Sequence, residues 1–557
     1  MEISKLANPE LGLPNSTFLR SPLMTDSYQL TMCYAYWKGG IHLKKASFEL
    51  FFRKCPFQGE YTIFAGLSNV LKFLNGFRFQ ESDVEFLKTI IPHAEPEFFD
   101  FVRSIDASLL TVTAMKEGTM CFPSEPLLRV EGPLAVAQLV ETTLLNIVGY
   151  PTLVATNASR IRLAAGKDKS LLEFGLRRAQ GPDGGMSASL YAVMGGFDKT
   201  SNVLAGQLYG LPLSGTHAHS FVMSFKGLDD VKNAFLKRNA TASSTSSSEE
   251  LVDLKKLVLE KKAQLKIDGT QEGELAAFIS YASSFPDAFC ALVDTYNTLK
   301  SGVLNFICVA IALVECGYPA GSVRLDSGDL AYLSKEAKKL FARYAEISGC
   351  APLKSAKVVA SNDINETTLN ALNEQKHEID IFGIGTNLVT CQSQPSLGCV
   401  YKLVSLEDFP RIKLSDEVAK TTIPGRKIGY RLFGADEKPL LDLLTQVTGD
   451  DGAHKVPKAG ERVLCRHPFE ESKRCFVVPS HVECLHELVW DHGKCPLKSL
   501  PSVEEIRAFV MRQLDNTRCD YLRQHCPTKY KVSLDDEFYT MMHQLLLECT
   551  PIPVLDI

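Results

Sequence analysis

Short apolar runs that stop abruptly in polar residues recur through the middle of the chain. Phe289 to Val293 runs into Asp294-Thr295-Tyr296-Asn297-Thr298, and a run closing at Leu325 meets Asp326-Ser327-Gly328-Asp329. Val358-Val359 leads to Ser361-Asn362-Asp363, and Ile379 to Phe382 opens onto Gly383-Ile384-Gly385-Thr386-Asn387. Upstream, Ser170 to Phe174 reads as the first strand of the series, followed by the polar loop Gly175 to Gly185. Leu211 to Ser214 reads as the next, ending in Gly215-Thr216-His217-Ala218-His219-Ser220. Runs about 30 residues apart, with helical periodicity in the gaps, predict repeated strand–helix units, and parallel barrels gather their chemistry at the strand ends. Several polar ends would then face one mouth.

The flanks read differently. Ser21 to Gly40 carries the helical stripe Tyr28, Met32, Tyr36 behind the candidate cap Thr25-Asp26, and Ala46 to Phe52 alternates like a strand. Helices and short strands mix up to about Gly149. Between Phe225 and Ala276 the rhythm is broken by the Ser-rich run Thr241 to Ser248 and a charged helical stretch, Glu249 to Lys266. A serine run cannot offset its ordering entropy, which predicts a surface insertion with a mobile tip and no catalytic role. Past Leu403 the strand–helix spacing fades, with amphipathic helices expected near Val503 to Leu514 and Asp535 to Leu547. The expected division is therefore 1–160, 161–405 with an insertion near 226–275, and 406–557.

Composition narrows the class. With 557 residues, 45% of them hydrophobic, and a formal charge of −5, the chain can bury large cores in two or three domains. Mild acidity gives no hint of a nucleic-acid partner. The start, Met1-Glu2-Ile3-Ser4-Lys5, lacks the apolar core of a secretory signal, and no run approaches the ~18 uninterrupted apolar residues of a membrane span. A cytosolic protein with no membrane contact is the expectation. The 16 cysteines are scattered, and Cys290, Cys308 and Cys316 sit in apolar runs, so reduced thiols are expected. Cys465, Cys475, Cys484 and Cys495, with His467, His481, His486 and His492 nearby, lack the C-x-x-C spacing of a zinc site.

The strand ends carry the candidate chemistry. Asp326 and Asp329, framing Ser327 and Gly328, can hold a divalent cation or ribose hydroxyls, although the same stretch before Leu330 is also a good helix start. Asp294 shares the argument. Gly383-Ile384-Gly385-Thr386 has little bulk, so backbone N–H groups can approach a phosphate and Thr386 can add a hydroxyl; a plain tight turn is the other reading. Two histidines, His217 and His219, follow Thr216 at a strand end, where an imidazole can act as a nucleophile or be a buried structural group.

Six motifs follow in order: Thr25-Asp26-Ser27-Tyr28-Gln29, Ser47-Phe48-Glu49-Leu50-Phe51-Phe52-Arg53, Glu173-Phe174-Gly175-Leu176-Arg177-Arg178, Gly215-Thr216-His217-Ala218-His219, Arg324-Leu325-Asp326-Ser327-Gly328-Asp329-Leu330 and Phe382-Gly383-Ile384-Gly385-Thr386. Through them the chain closely resembles the nicotinate phosphoribosyltransferase family from about Pro22 to Leu403, and more loosely beyond. The resemblance implies an α/β fold in which an irregular barrel of the type II phosphoribosyltransferase kind joins an α/β domain built from N-terminal and C-terminal segments. It implies a homodimer with shared active sites, and the synthesis of nicotinate mononucleotide and diphosphate from nicotinate and 5-phosphoribosyl 1-diphosphate, the first step from nicotinate toward NAD. ATP as co-substrate and Mg²⁺ (or Mn²⁺) as cofactor come with it.

The same resemblance distributes roles. Tyr28 would stack on the pyridine from the neighbouring subunit, with core packing beside Met32 as the other reading. Arg177 and Arg324 would hold carboxylate or phosphate oxygens near Thr216, unless they serve only in surface ion pairs. Asp326 would be catalytic, with Asp294, Ser327, Gly328 and Asp329 around the sugar and Asp326 and Asp329 toward the metal. Gly383, Gly385 and Thr386 would cradle the 5-phosphate, and His219 would be phosphorylated by ATP. Nicotinamide-using relatives carry an acid in the segment matching Ser201 to Gly206, where both leading residues here, Ser201 and Asn202, are neutral. An acid beside a bound carboxylate would repel it, so nicotinate is favoured. Quinolinate use would need further cationic groups. A sugar-phosphate lyase or aldolase on the same barrel would need a Schiff-base lysine, for which Lys402 is the candidate. A barrel kept only as a scaffold is disfavoured by the intact motifs.

Overall fold

Apolar runs of four or five residues, too short to bury a helical face, become strands covered on both sides. In the computed structural model, which describes residues 21–239, 251–417, 420–449, 452–550 and 552, five such short apolar strands and one two-residue strand form one parallel sheet. Its order is Cys290–Leu292, Ser322–Leu325, Lys357–Ala360, Ile381–Ile384, Ser170–Glu173 and Lys199–Thr200. Thr200 then bridges Leu213 in parallel. The last gap is spanned by a side chain: the Leu292 N–H donates to Nε2 of His217 at 3.2 Å. The sheet thus curls into the irregular barrel expected, with two differences. Leu211 to Ser214 supplies a single bridging residue instead of a strand. Lys199–Thr200, at two residues, is too brief to leave a hydrophobic pattern in the sequence.

Helices return the chain to the foot of each stave. Leu330–Ser348 starts at Asp329 and Glu366–Glu374 at Asn365, each cap accepting a backbone N–H of the first turn. Val303–Glu315 is almost wholly apolar. Thr298–Glu315 is long and apolar enough to cross a membrane, but 67% of it is buried inside the protein, because it lies beneath the helices Leu254–Gln264 and Glu272–Ser284. The insertion is accordingly more than a surface loop. Leu251–Asp253 pairs with Phe235–Lys237, and the following helix buries Leu254 and Val258 against the barrel layer. The Ser-rich run Thr241 to Ser248 lies outside the described residues.

A second, antiparallel sheet interleaves distant parts of the chain in the order Phe409–Pro410, Cys399–Leu406, Lys45–Phe52, Leu128–Pro133, Thr111–Met115, His486–Asp491. Lys45–Phe52 is its central strand and is buried on both faces after Lys45, so the alternation read in the sequence does not correspond to one wet face. A third sheet, Arg474–Val477 through His481–Cys484, is made of C-terminal strands. Buried ions join it to the N-terminal part: Arg431 pairs with Asp442 at 2.7 Å and lies over the Phe122 ring, and Lys427 pairs with Glu49. The helix Glu141–Ala165 runs through the expected division at residue 160, and the strand Cys399–Leu406 through that at 405. The C-terminal helices are Val503–Asn516 and Asp536–Glu548. All 16 cysteines are unbridged, and no group of three metal-binding side chains occurs among the described residues.

Candidate active site

Parallel register sets the strand ends side by side, and the side chains just past them meet at the mouth. Asp294 follows Cys290–Leu292, Asp326 follows Ser322–Leu325, and Ser361 follows Lys357–Ala360. Asp294 is 1% exposed, and both its oxygens are used by the protein. Oδ2 accepts the Asp326 N–H at 2.9 Å and the Ser327 hydroxyl at 2.5 Å, while Oδ1 meets Nε2 of His219 at 3.1 Å. Asp294 therefore orients its neighbours from a buried position.

Arg324 is the hub of the opposite side. Its Nε donates to Ser361 Oγ at 2.8 Å, Nη1 to Thr216 Oγ1 at 3.2 Å and Nη2 to Asp326 Oδ1 at 3.1 Å. The guanidinium also lies 5.5 Å from the centre of the Phe174 ring, a cation–π arrangement. That ring reaches its place because residue 383 is glycine: a Cβ there would stand 2.5 Å from two Phe174 carbons. Gly383 thus makes room as well as lining the pocket.

These residues enclose a cavity of about 150 Å³, lined by Phe174, Arg177, Arg178, Arg324, Asp326, Ser361, Asn362, Asp363, Ile364, Gly383, Gly385, Thr386 and Asn387. Six of the residues singled out in the sequence therefore share one pocket: Arg177, Arg324, Asp326, Gly383, Gly385 and Thr386. Thr216 and Asp294 stand one hydrogen bond away from it, through Arg324 and Asp326, and His219 stands two away, through Asp294. Arg177 and Arg178 project at the lip with no ion pair among the described residues, so the cavity offers two uncommitted guanidinium groups to an anion.

The remaining candidates lie elsewhere. Gly328 sits at φ +79°, a conformation only glycine adopts freely, and it turns the chain so that the two acids part. Asp326 lines the cavity, whereas Asp329 is exposed and caps Leu330–Ser348 through the Tyr332 N–H at 2.9 Å. Asp329 thus matches the helix-start reading of this stretch and is not among the residues lining the cavity. Tyr28 does not line the cavity; it is 49% exposed, on the face of Ser27–Lys38 opposite its buried residues Gln29, Leu30 and Cys33. The core-packing reading of Tyr28 falls with that. Asp26 starts this helix without a side-chain cap and instead accepts the Thr142 hydroxyl.

His217 is structural, as read. It is buried among Phe221, Phe278 and Tyr281, and burial, helped by Arg324 and His219, holds its pKa down to about 4. Glu274, behind this layer, is pushed up to about 7, chiefly by burial. Asn202 is turned inward, capping Val203–Tyr209 and donating to Ser189. Lys402 pairs opposite Glu49 in the antiparallel sheet, and no lysine lines the cavity among the described residues, which removes the aldolase reading. Phe174, Arg178, Asn362 and Asp363 also line the cavity, with no role expected of them from the sequence. Asn362 and Asp363 stand in a strand end already noted for its polarity, and Asp363 is held at φ +42°, which a non-glycine residue seldom adopts.

Comparison with known proteins decides the family. The N-terminal domain model of nicotinate phosphoribosyltransferase matches residues 23–149, the family model residues 320–450 and the C-terminal domain model residues 426–542. The nicotinate phosphoribosyltransferase of Dictyostelium discoideum is 50% identical over 96% of this chain and 89% of its own length. The chain belongs to the nicotinate phosphoribosyltransferase family. The Homo sapiens nicotinate phosphoribosyltransferase is 44% identical over 97% of this chain and 99% of its own length. The crystal structure of human nicotinic acid phosphoribosyltransferase superposes with a TM-score of 0.81 at 42% identity, covering 94% of this chain and 99% of that one. Family membership thus extends well past Leu403, into the region where the motifs of the sequence grow sparse.

Proposed function

We infer that this protein is a nicotinate phosphoribosyltransferase, joining nicotinate to 5-phosphoribosyl 1-diphosphate in the salvage of nicotinate toward NAD. The pyridine nitrogen forms a bond to C1 of the ribose as the C1–O bond to diphosphate breaks, and the electron pair leaves with diphosphate. One observation carries the reading. Arg177, Arg178, Arg324, Asp326 and the bare Gly383 to Thr386 turn converge on a single cavity at the strand ends, two hydrogen bonds from His219 by way of Asp294. Positive charge at C1 and negative charge on the leaving group develop together, so a site with a carboxylate near the sugar and guanidinium groups near the phosphates favours the transition state.

The roles follow from the contacts. Asp326 has one oxygen held by Arg324 and Ser361 and the other without a protein partner among the described residues, available to the ribose hydroxyls. Gly385 and Thr386 would face the 5-phosphate, and Arg177 and Arg178 the diphosphate or the nicotinate carboxylate. With one carboxylate and no protein cage, the site suits a Mg²⁺ or Mn²⁺ ion carried mainly by substrate oxygens, with Asp326 as its protein contact. Bound there, the ion would neutralise charge on the departing diphosphate.

His219 is the residue for ATP coupling. Its Nε2 faces the buried Asp294, which favours the tautomer with hydrogen on that nitrogen and leaves Nδ1 as the nucleophile toward a phosphoryl group. The rim supports a homodimer with shared sites, because Val203 (71% exposed) and Leu213 (48%) present apolar surface beside the mouth. A second copy would cover that rim and bring its Tyr28 to the pyridine. We place the enzyme in the cytosol. Product analysis with nicotinate or nicotinamide, each with 5-phosphoribosyl 1-diphosphate and with or without ATP, tests the reading. Nicotinate mononucleotide and diphosphate are expected in equal amounts, more of both with ATP, and absence of diphosphate release with nicotinate would overturn it.

A further inference from the structure

We propose that Ser361 is a positioning residue for the transfer, setting the Asp326 carboxylate through a hydroxyl that faces two partners at once. The inference rests on the reading of Asp326 as a ribose contact. Ser361 stands one residue past Lys357–Ala360, and its N–H donates to Leu325 O at 2.9 Å, so the two strands hold it opposite Asp326. It is 5% exposed. Its Oγ accepts from Arg324 Nε at 2.8 Å and donates to Asp326 Oδ1 at 2.5 Å. Arg324 Nη2 reaches that same oxygen at 3.1 Å, which closes a three-membered ring of hydrogen bonds.

A hydroxyl is the smallest group that can accept from a guanidinium and donate to a carboxylate together. Alanine does neither, and a thiol donates weakly. The Asp326 backbone is tied separately, by its N–H to Asp294. Ser361 therefore governs the side-chain torsion of Asp326 more than its place in the chain. Loss of the hydroxyl frees Arg324 Nε to seek a second bond to Asp326 beside that of Nη2, which would draw the second carboxylate oxygen away from the sugar. Gly383 leaves room at this point, since a Cβ there would lie 3.3 Å from that of Ser361.

The test is a double-mutant cycle of Ser361→Ala with Asp326→Ala in the full-length protein. It is read by calorimetric affinity for 5-phosphoribosyl 1-diphosphate, by kcat, and by the KM for nicotinate. Ser361→Ala alone is expected to weaken diphosphate-sugar binding and kcat together by roughly 10-fold or more, with the nicotinate KM within about 2-fold. In the Asp326→Ala background the same change should alter sugar binding by less than about 2-fold. Ser361→Thr, which keeps the hydroxyl, should recover most of the loss. If Ser361→Ala does not fold, Ser361→Cys fills the site with a weakly donating thiol and carries the same expectation. Equal losses in both backgrounds would overturn the positioning role while leaving Asp326 as a sugar contact. An Asp326→Ala protein with wild-type sugar affinity and kcat would instead remove the reading of Asp326 itself.

Discussion

His219 and Asp294 show what a single residue type can and cannot reveal. A histidine after a Gly-Thr strand end invites a nucleophilic reading, and its half-exposed ring, 41% open with Asp294 behind it, supports that reading. His219→Ala should abolish stimulation of product formation by ATP while basal transfer falls by no more than about 10-fold, since the sugar and pyridine contacts remain. Undiminished ATP stimulation in that variant would remove His219 from the coupling step. Asp294 carried the same sequence signal as Asp326, an acid ending an apolar run, yet it turns inward and serves its neighbours. Nothing in a one-dimensional pattern reports whether an acid at a strand end looks into the pocket or back into the wall. Ser361 was legible as a polar strand end, but its service to Asp326 depends on a neighbouring strand 35 residues away.

Among the elements, those with long apolar runs were read correctly, because burial on both faces leaves a continuous hydrophobic signature. Lys199–Thr200 escaped notice because two residues have no periodicity, whereas Leu211 to Ser214 reads as a strand and forms only the single bridge from Leu213 to Thr200. The turn Thr298–Gly302 illustrates a constraint that the sequence hides. It is a π-helical entry to Val303–Glu315, and a Cβ on Gly302 would lie 2.0 Å from the carbonyl oxygen of Val293. Backbone must move to admit it, and Val293 immediately precedes Asp294. Gly302→Ala should therefore cost roughly 1–3 kcal/mol of stability and depress kcat as well. Thermal unfolding together with steady-state rates checks both, and a fully active variant with an unchanged melting temperature would show that the turn yields freely.

Over the whole molecule, the N-terminal and C-terminal parts are pinned by polar groups whose pairing no pattern of hydrophobicity could reveal. His486 links them: Nδ1 accepts the Gly429 N–H at 3.0 Å, and Nε2 lies 2.6 Å from Pro126 O. Burial, the leading cause, holds this ring down to about 4, below the roughly 6.5 of an unfolded histidine. Unfolded chains then bind the extra proton between those values, so the His486 contribution is intact above about pH 6.5 and is lost as pH falls toward 4. His486→Gln, which can still accept and donate, should lose less stability than the parent between pH 6.5 and 4.5, by up to about 2 kcal/mol once the ring's open edge is allowed for. Urea unfolding at the two pH values measures it, and parallel slopes would count against the assignment. Barrel and family were legible through six motifs; the sharing of sheets between chain ends was legible only by resemblance, since strand partners hundreds of residues apart leave no local mark.

That sharing has a consequence for biogenesis. The early trio Lys45–Phe52, Leu128–Pro133 and Thr111–Met115 is flanked by Cys399–Leu406 on one side and His486–Asp491 on the other, both made much later. At roughly 5–20 residues per second, a ribosome leaves two raw sheet margins unsealed for tens of seconds while the barrel emerges. Nascent chains of this enzyme should lean on holding chaperones during that interval, and truncation anywhere before the late strands should yield aggregates instead of a smaller working enzyme.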